Sequence, residues 1–223
     1  MDTKPIIAIM YDFDKTLCTK DMQDYAFIPS LNHFSTNGKR KYLLNIGCGT
    51  TSSKRLPLCF QNDNIWQEIK LDIDPNVKPD IVADMTDMGM IKNNSIDAIF
   101  SSHNLEHLET HMVPIALKEM LRILKFGGFI LVNLPDLETI AKLILDGKLE
   151  NTLYNSLAGP VSPLDMLFGH NLSIQKGNSF MAHRTGFTAK RLGNLLIQAG
   201  FKEVRIIHGD NYDLWAIAIA PNQ

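Results

Sequence analysis

The feature that most constrains this chain is a repeated alternation. Short apolar runs end in glycine, aspartate or another small polar residue, and all but one neighbouring pair are spaced by segments long enough for a crossover. The runs fall at 6–11, 42–46, 69–73, 80–83, 96–101 and 129–133. Strands separated in this way pair in parallel, because a parallel connection needs a dozen or more residues. Two later runs, 204–207 and 214–219, flank Gly209-Asp210-Asn211 and read as an antiparallel hairpin that closes the sheet.

Two helices are legible between these strands. Val113, Ala116, Leu117, Met120, Leu121 and Leu124 repeat at helical spacing and form one apolar stripe, with Pro114 in the first turn and Gly127 expected just past the end. A second helix is expected over about 189–198, with Thr188 as N-cap and Gly200 as stop. Between Gly49 and Ile69 no helical stripe is found. Residues 30–40 are polar and turn-rich and read as a linker.

The chemistry concentrates at strand ends. Leu44-Asn45-Ile46-Gly47-Cys48-Gly49-Thr50-Thr51 runs a strand into a Gly-x-Gly turn, where the missing Cβ atoms let a ligand approach the backbone. Asp72 ends the next strand, placed to accept ribose hydroxyls, and Asp84 ends the third, placed to meet a polar base edge. Three such features at consecutive strand ends line one crevice, where open α/β sheets bind ligands.

These motifs, with Leu71-Asp72-Ile73-Asp74, Ala83-Asp84-Met85-Thr86, Ser95-Ile96-Asp97-Ala98-Ile99, Ser101-Ser102-His103-Asn104-Leu105-Glu106-His107-Leu108 and 117–129, resemble class I S-adenosylmethionine-dependent methyltransferases over about residues 40–220. The resemblance implies an α/β, Rossmann-like, doubly wound and mostly parallel seven-stranded sheet with an antiparallel C-terminal hairpin. It implies S-adenosylmethionine as cofactor, with Gly47 and Gly49 at its methionine part, Asp72 at the ribose, and Asp84 with Met85 at the adenine. Asn45, Cys48, Ile73 and Ser102 complete the expected cofactor set. The family usually has an acid where Asn45 stands and a third small residue where Thr51 stands. Asn45 accepts a hydrogen bond but brings no charge to a cationic ligand.

Methyl transfer from a sulfonium needs an in-line nucleophile, and a base only where the acceptor carries a proton. His103, after the fourth strand of the methyltransferase-like region, is the candidate base, with Glu106 and His107 beside it on the acceptor side. His103, His107 and His111 stand at i, i+4 and i+8, but Pro114 argues against a continuous helix there, and no metal is expected. The acceptor pocket is expected from an insertion over 151–187, which adds His170 and His183. The acceptor expected is a small molecule.

The start of the chain is a separate signal. Tyr11-Asp12-Phe13-Asp14-Lys15-Thr16 resembles the first motif of haloacid-dehalogenase-type phosphatases, which implies Asp12 as nucleophile and Asp14 as general acid. Gly209-Asp210-Asn211-Tyr212-Asp213 imitates a later element of that family with one residue too few. Residues 1–38 are therefore expected to be an appendage, inert as a phosphatase, whose strand pads the sheet edge or mediates a homodimer, and 39–223 the methyltransferase-like domain. Two alternatives stay open: a Mg²⁺-dependent phosphohydrolase using Asp12, and a non-catalytic protein that binds the same cofactor. Composition narrows the rest. With 22 Lys+Arg against 24 Asp+Glu the net charge is −2, which gives no footprint for a nucleic-acid binder. No long uncharged apolar run predicts a membrane span, no leader-like segment is seen, and the three cysteines, Cys18, Cys48 and Cys59, are widely spaced. A cytoplasmic setting is expected.

Overall fold

The computed structural model describes residues 6–10, 40–50, 56–156 and 158–222. Asp12, Asp14 and Thr51 lie outside the described residues, and so does the 30–40 linker apart from Arg40.

The expected strands form one sheet. In chain order they are β1 (Ile6–Met10), β2 (Lys41–Ile46), β3 (Trp66–Asp72), β4 (Ile81–Val82), β5 (Ile96–Ser102), β6 (Leu124–Pro135), β9 (Glu203–His208) and β10 (Asp213–Ile219). Their order across the sheet is β4-β3-β2-β5-β6-β10-β9-β1. Strand β10 runs antiparallel to both β6 and β9, and every other pairing is parallel. Seven strands have the expected Rossmann-like arrangement, and β1 extends it by pairing with β9 at the edge. The chain leaves β2 toward β3 on one side and returns through β5 on the other. That reversal opens a crevice beyond the C-terminal ends of β2 and β5.

The sheet is buried because alternate residues serve two cores. Leu44, Ile46, Ile99, Ile130 and Val132 face helices α1 (Val113–Ile123) and α5 (Ala189–Ala199), which bury Val113, Ala116, Leu117, Met120, Leu192 and Leu196 against them. On the other face Leu43, Ala98, Phe100 and Leu131 meet an aromatic cluster. Phe60 stacks on Phe129 at 6.0 Å between ring centres and meets Trp66 edge-on at 5.2 Å, and the Trp66 indole donates to the Cys59 carbonyl at 2.9 Å. In the stretch where no helical stripe was legible, described residues 56–65 hold a single 3-10 turn, Leu58–Phe60. Burial pushes the Cys59 thiol up to about 12, so it behaves as a small core residue.

Thr188 caps α5, its hydroxyl accepting from the Arg191 amide at 3.2 Å, and Gly200 ends it at φ 112°. The stop of α1 differs from expectation. The helix ends at Ile123 and runs straight into β6, so Gly127 (φ 70°) sits within the strand, near a register shift between Ile96 and Ala98. Helix α2 (Leu137–Leu145) was not anticipated. It starts at the buried Asp136, whose carboxylate accepts from the Glu138 amide and lies 2.9 Å from His208 Nδ1. The 151–187 segment adds the hairpin β7 (Tyr154–Ser156) and β8 (Gly159–Val161), α3 (Pro163–Phe168) with a Ser162–Asp165 capping box, and α4 (Asn171–Gln175). Among the described residues no helix is long and apolar enough to cross a membrane.

Candidate functional site

Where β2 ends, Gly47 (φ 65°) and Gly49 (φ 58°) occupy the left-handed region that favours glycine. The amides of Gly47 and Cys48 both donate to the Leu71 carbonyl, at 2.8 and 3.2 Å. One oxygen of Asp72 accepts from the Gly49 amide at 2.8 Å and the other from the Asp74 amide at 2.9 Å. Asp72 thus locks the turn to the end of β3, and each of its oxygens keeps a further lone pair.

The turn is also held from the β5 side. Asn104 Nδ2 donates to the carbonyls of Ile46 (2.8 Å) and Ser102 (2.9 Å), and its side chain lies directly against Gly47. A Cβ on Gly47 would fall 1.8 Å from Asn104 Oδ1. His103 between them adopts φ 55°, an uncommon backbone for a non-glycine residue, with its amide bonded to the Asn133 carbonyl at 2.8 Å. Asn104 stands within the Ser101–Leu108 motif, whose pattern by itself assigns it no role. Its packing on Gly47 is a contact between residues far apart in the chain.

Around this turn lies a cleft of about 540 Å³, within the usual range for a small-molecule site. Of the expected cofactor residues, Gly47, Gly49, Asp72, Ile73, Asp84, Met85 and Ser102 line it. Asp84 accepts from both the amide and the hydroxyl of Thr86 through Oδ1, each at 2.8 Å. Asn45 does not line the cleft. It alternates with Leu44 and Ile46, and its amide donates to Glu68 Oε1 at 2.8 Å. Cys48 does not line it either; burial, with the nearby Asp72, pushes its thiol up to about 11. Asn104 and Glu109 also line the cleft, and the 151–187 insertion contributes Phe180, Met181 and Arg184.

The acceptor-side residues divide. His103 and His107 line the cleft, whereas Glu106 and His183 line a second cavity of about 220 Å³ that shares Arg184 with it. His170 lines neither; it is buried, with Nδ1 2.8 Å from the Ser173 hydroxyl. The two cavities meet because the end of the insertion is stitched to the turn after β5. The amides of Arg184 and Thr185 donate to the Glu106 carbonyl (2.8 and 3.2 Å), and the His183 amide donates to the Phe168 carbonyl (3.1 Å).

Glu106 is buried, and His103 Nδ1 stands 3.2 Å from its Oε1. Burial alone would raise the Glu106 pKa, but His103, His107 and His183 hold it below the ordinary glutamate range. His103 is 44% exposed. Desolvation at the cleft wall works against its imidazolium, and the Glu106 carboxylate outweighs that and raises its pKa. Burial pushes the pKa of His183 down, which keeps it neutral. The segment likened to a phosphatase element lies in the β9–β10 turn. There Gly209 donates to the Asp213 carbonyl, and the Asp213 carboxylate accepts from Asn133 and Trp215.

Residues 44–132 match the family described as a methyltransferase domain. No curated protein matches the chain. Among solved structures, a SAM-dependent methyltransferase from Archaeoglobus fulgidus is 16% identical with a TM-score of 0.55, covering 92% of this chain and 94% of that one. One from Methanosarcina mazei is 15% identical at 0.54, covering 87% and 98%. The citrinin polyketide synthase CMeT domain is 17% identical at 0.56, and this chain, covered over 86%, spans about half (49%) of that one. These likenesses are of fold. The family match is confined to residues 44–132.

Proposed function

We propose that this protein transfers the methyl group of S-adenosylmethionine to a small-molecule acceptor that enters between His103 and the Glu106–His183 cavity. The observation that carries the reading is the convergence of Gly47, Gly49, Asp72 and Asp84 on one cleft at the reversal point of the sheet. In this reading Asp72 would hold the ribose through the lone pairs it has left, Asp84, Met85 and Ile73 would hold the adenine, and Gly47 and Gly49 the methionine part. Asn45 and Cys48 act from behind the turn and do not touch the ligand. Asp72, Asp74 and Asp84 make the strand-end side of the cleft negative, which favours a cationic sulfonium, while Glu109 is paired with Arg184 at 2.9 Å.

Bound there, S-adenosylmethionine would supply an electrophilic methyl group to a nucleophile on the acceptor, and its sulfur would leave as a thioether. His103, half-exposed on the cleft wall, takes the acceptor's proton where it carries one. Orientation supplies most of the rate, on the order of 7–11 kcal/mol where attacking atom and methyl are aligned.

Calorimetry with S-adenosylmethionine and with its demethylated product tests the reading. Both are expected to bind, and absence of binding at millimolar concentration overturns it. Binding of both ligands without turnover across a panel of hydroxyl, amine and thiol acceptors favours instead a protein that holds the cofactor without catalysis. That alternative has one specific support, the uncharged Asn45 turned away toward Glu68.

A further inference from the structure

We propose that Glu106, His107 and His183 form a binding site for a divalent transition-metal ion of the zinc type, set in the wall between the cleft and the inner cavity. Each residue offers one ligand atom, and the three atoms lie within 4.8 Å of one another. Ligand atoms about 2.0–2.2 Å from a tetrahedral zinc stand roughly 3.3–3.6 Å apart, so modest side-chain rotation closes the set on a cation. The histidines weighed from the sequence, His103, His107 and His111, are not the group the fold gathers, and this proposal departs from the expectation of no metal.

The hydrogen bonds fix both rings for this role. His107 Nδ1 lies 3.1 Å from the Ala182 carbonyl and His183 Nδ1 lies 2.8 Å from the Met166 carbonyl. A carbonyl only accepts, so both Nδ1 atoms carry hydrogen, and Nε2 is the nitrogen each ring has left for a cation. Metal-binding imidazoles are oriented in this way, by an outer hydrogen bond from the other nitrogen. The two rings stand edge to face, 4.9 Å between centres.

Glu106 supplies the second observation. Its side chain is 2% exposed, yet Oε2 has no hydrogen-bond partner and Oε1 meets only His103. Buried carboxylates without partners are costly, and each such group calls for a reason. A cation on Oε2 provides one while leaving the His103 contact on Oε1 intact. His103 alone answers half of the problem, since it does nothing for Oε2.

The backbone is built to bring the parts together. Glu106 and His107 lie on the 3-10 turn Leu105–His107 after β5, while His183 arrives from the insertion. A bridge between Gly169 and Ala182, and the bonds from Arg184 and Thr185 to the Glu106 carbonyl, fix His183 beside them. Two imidazoles and one carboxylate suit zinc and its first-row neighbours, and three protein ligands leave one position open. The site stands on these residues alone and not on the methyl-transfer reading.

The experiment uses the untagged full chain, stripped with chelator and dialysed. Zn²⁺ is measured by equilibrium dialysis with elemental analysis, and Co²⁺ by its visible ligand-field bands. We expect one equivalent of each per chain, together with a Zn²⁺-dependent rise in unfolding temperature. His183→Ala and Glu106→Gln are each expected to weaken Zn²⁺ binding at least tenfold and to abolish the Co²⁺ bands, whereas the exposed His111→Ala changes neither. Far-ultraviolet circular dichroism of each variant establishes that it is folded, and His107→Ala stands in for one that is not. Folded wild-type protein that takes up no stoichiometric Zn²⁺ overturns the proposal. Uptake unchanged in His107→Ala and His183→Ala does so as well, because it places the ion on other residues.

Discussion

Replacing Gly47 with alanine tests how the glycine turn is held. The new Cβ would sit 1.8 Å from Asn104 Oδ1, and the residue would have to keep φ 65°. An L side chain in that backbone region costs about 1–2 kcal/mol. Asn104 must also swing away and abandon its bonds to the carbonyls of Ile46 and Ser102, each contributing about 1 kcal/mol. The expected loss is about 3–4 kcal/mol, a large part of the 5–15 kcal/mol typical of a folded domain. A double-mutant cycle with Asn104→Ala isolates the collision, because Asn104→Ala alone forfeits the same two bonds and leaves the space empty. The double variant should therefore be no less stable than Gly47→Ala, with a coupling of about 2 kcal/mol in urea-unfolding measurements. Additive losses, or a Gly47→Ala variant as stable as the parent, refute the account of the turn.

Three further outcomes are expected. Asp72→Ala should weaken S-adenosylmethionine binding at least tenfold, about 1.4 kcal/mol by calorimetry, and an unchanged dissociation constant would place the ribose elsewhere. His103→Gln should lower kcat for an acceptor that loses a proton while leaving cofactor affinity within twofold; equal kcat values would remove the base role. Glu119, held below the ordinary glutamate range by its hydrogen bonds with Arg122, should contribute stability above that range and lose it as pH falls through its folded value. The thermal stabilities of wild type and Glu119→Gln should accordingly differ at neutral pH and converge in acid, and a gap that persists in acid would contradict the assignment.

The parts of the molecule that were legible in the sequence are those written in local pattern. Apolar runs located the strands, because a strand buried on both faces reads as continuous hydrophobicity, and the 113–124 stripe located α1. The stop of α1 was misjudged at Gly127, because a glycine with positive φ serves a kinked strand as readily as a helix end. Helix α2 was missed, since Ile140 is its one fully buried apolar residue and its main signal, Asp136 as N-cap, is a single side chain. At the site, the glycine turn and Asp72 were readable because the spacing from strand end to strand end is regular. Asn45 followed the motif but not the cleft, since strand alternation turns it to the opposite face. The meeting of His107 with Ala182, 75 residues apart, has no local signature, and neither does the packing of Asn104 on Gly47.

Strand β1 carries a consequence for anyone who trims this chain. Residues Ile6–Met10 satisfy the outer row of amides and carbonyls of β9 from Glu203 to Ile207. Shortening the protein to start near residue 39 would strip that cover and present a bare ladder of donors and acceptors to neighbouring molecules. A shortened form that self-associates in proportion to its concentration would therefore reveal an uncapped margin, with no bearing on whether the cofactor cleft is correctly formed.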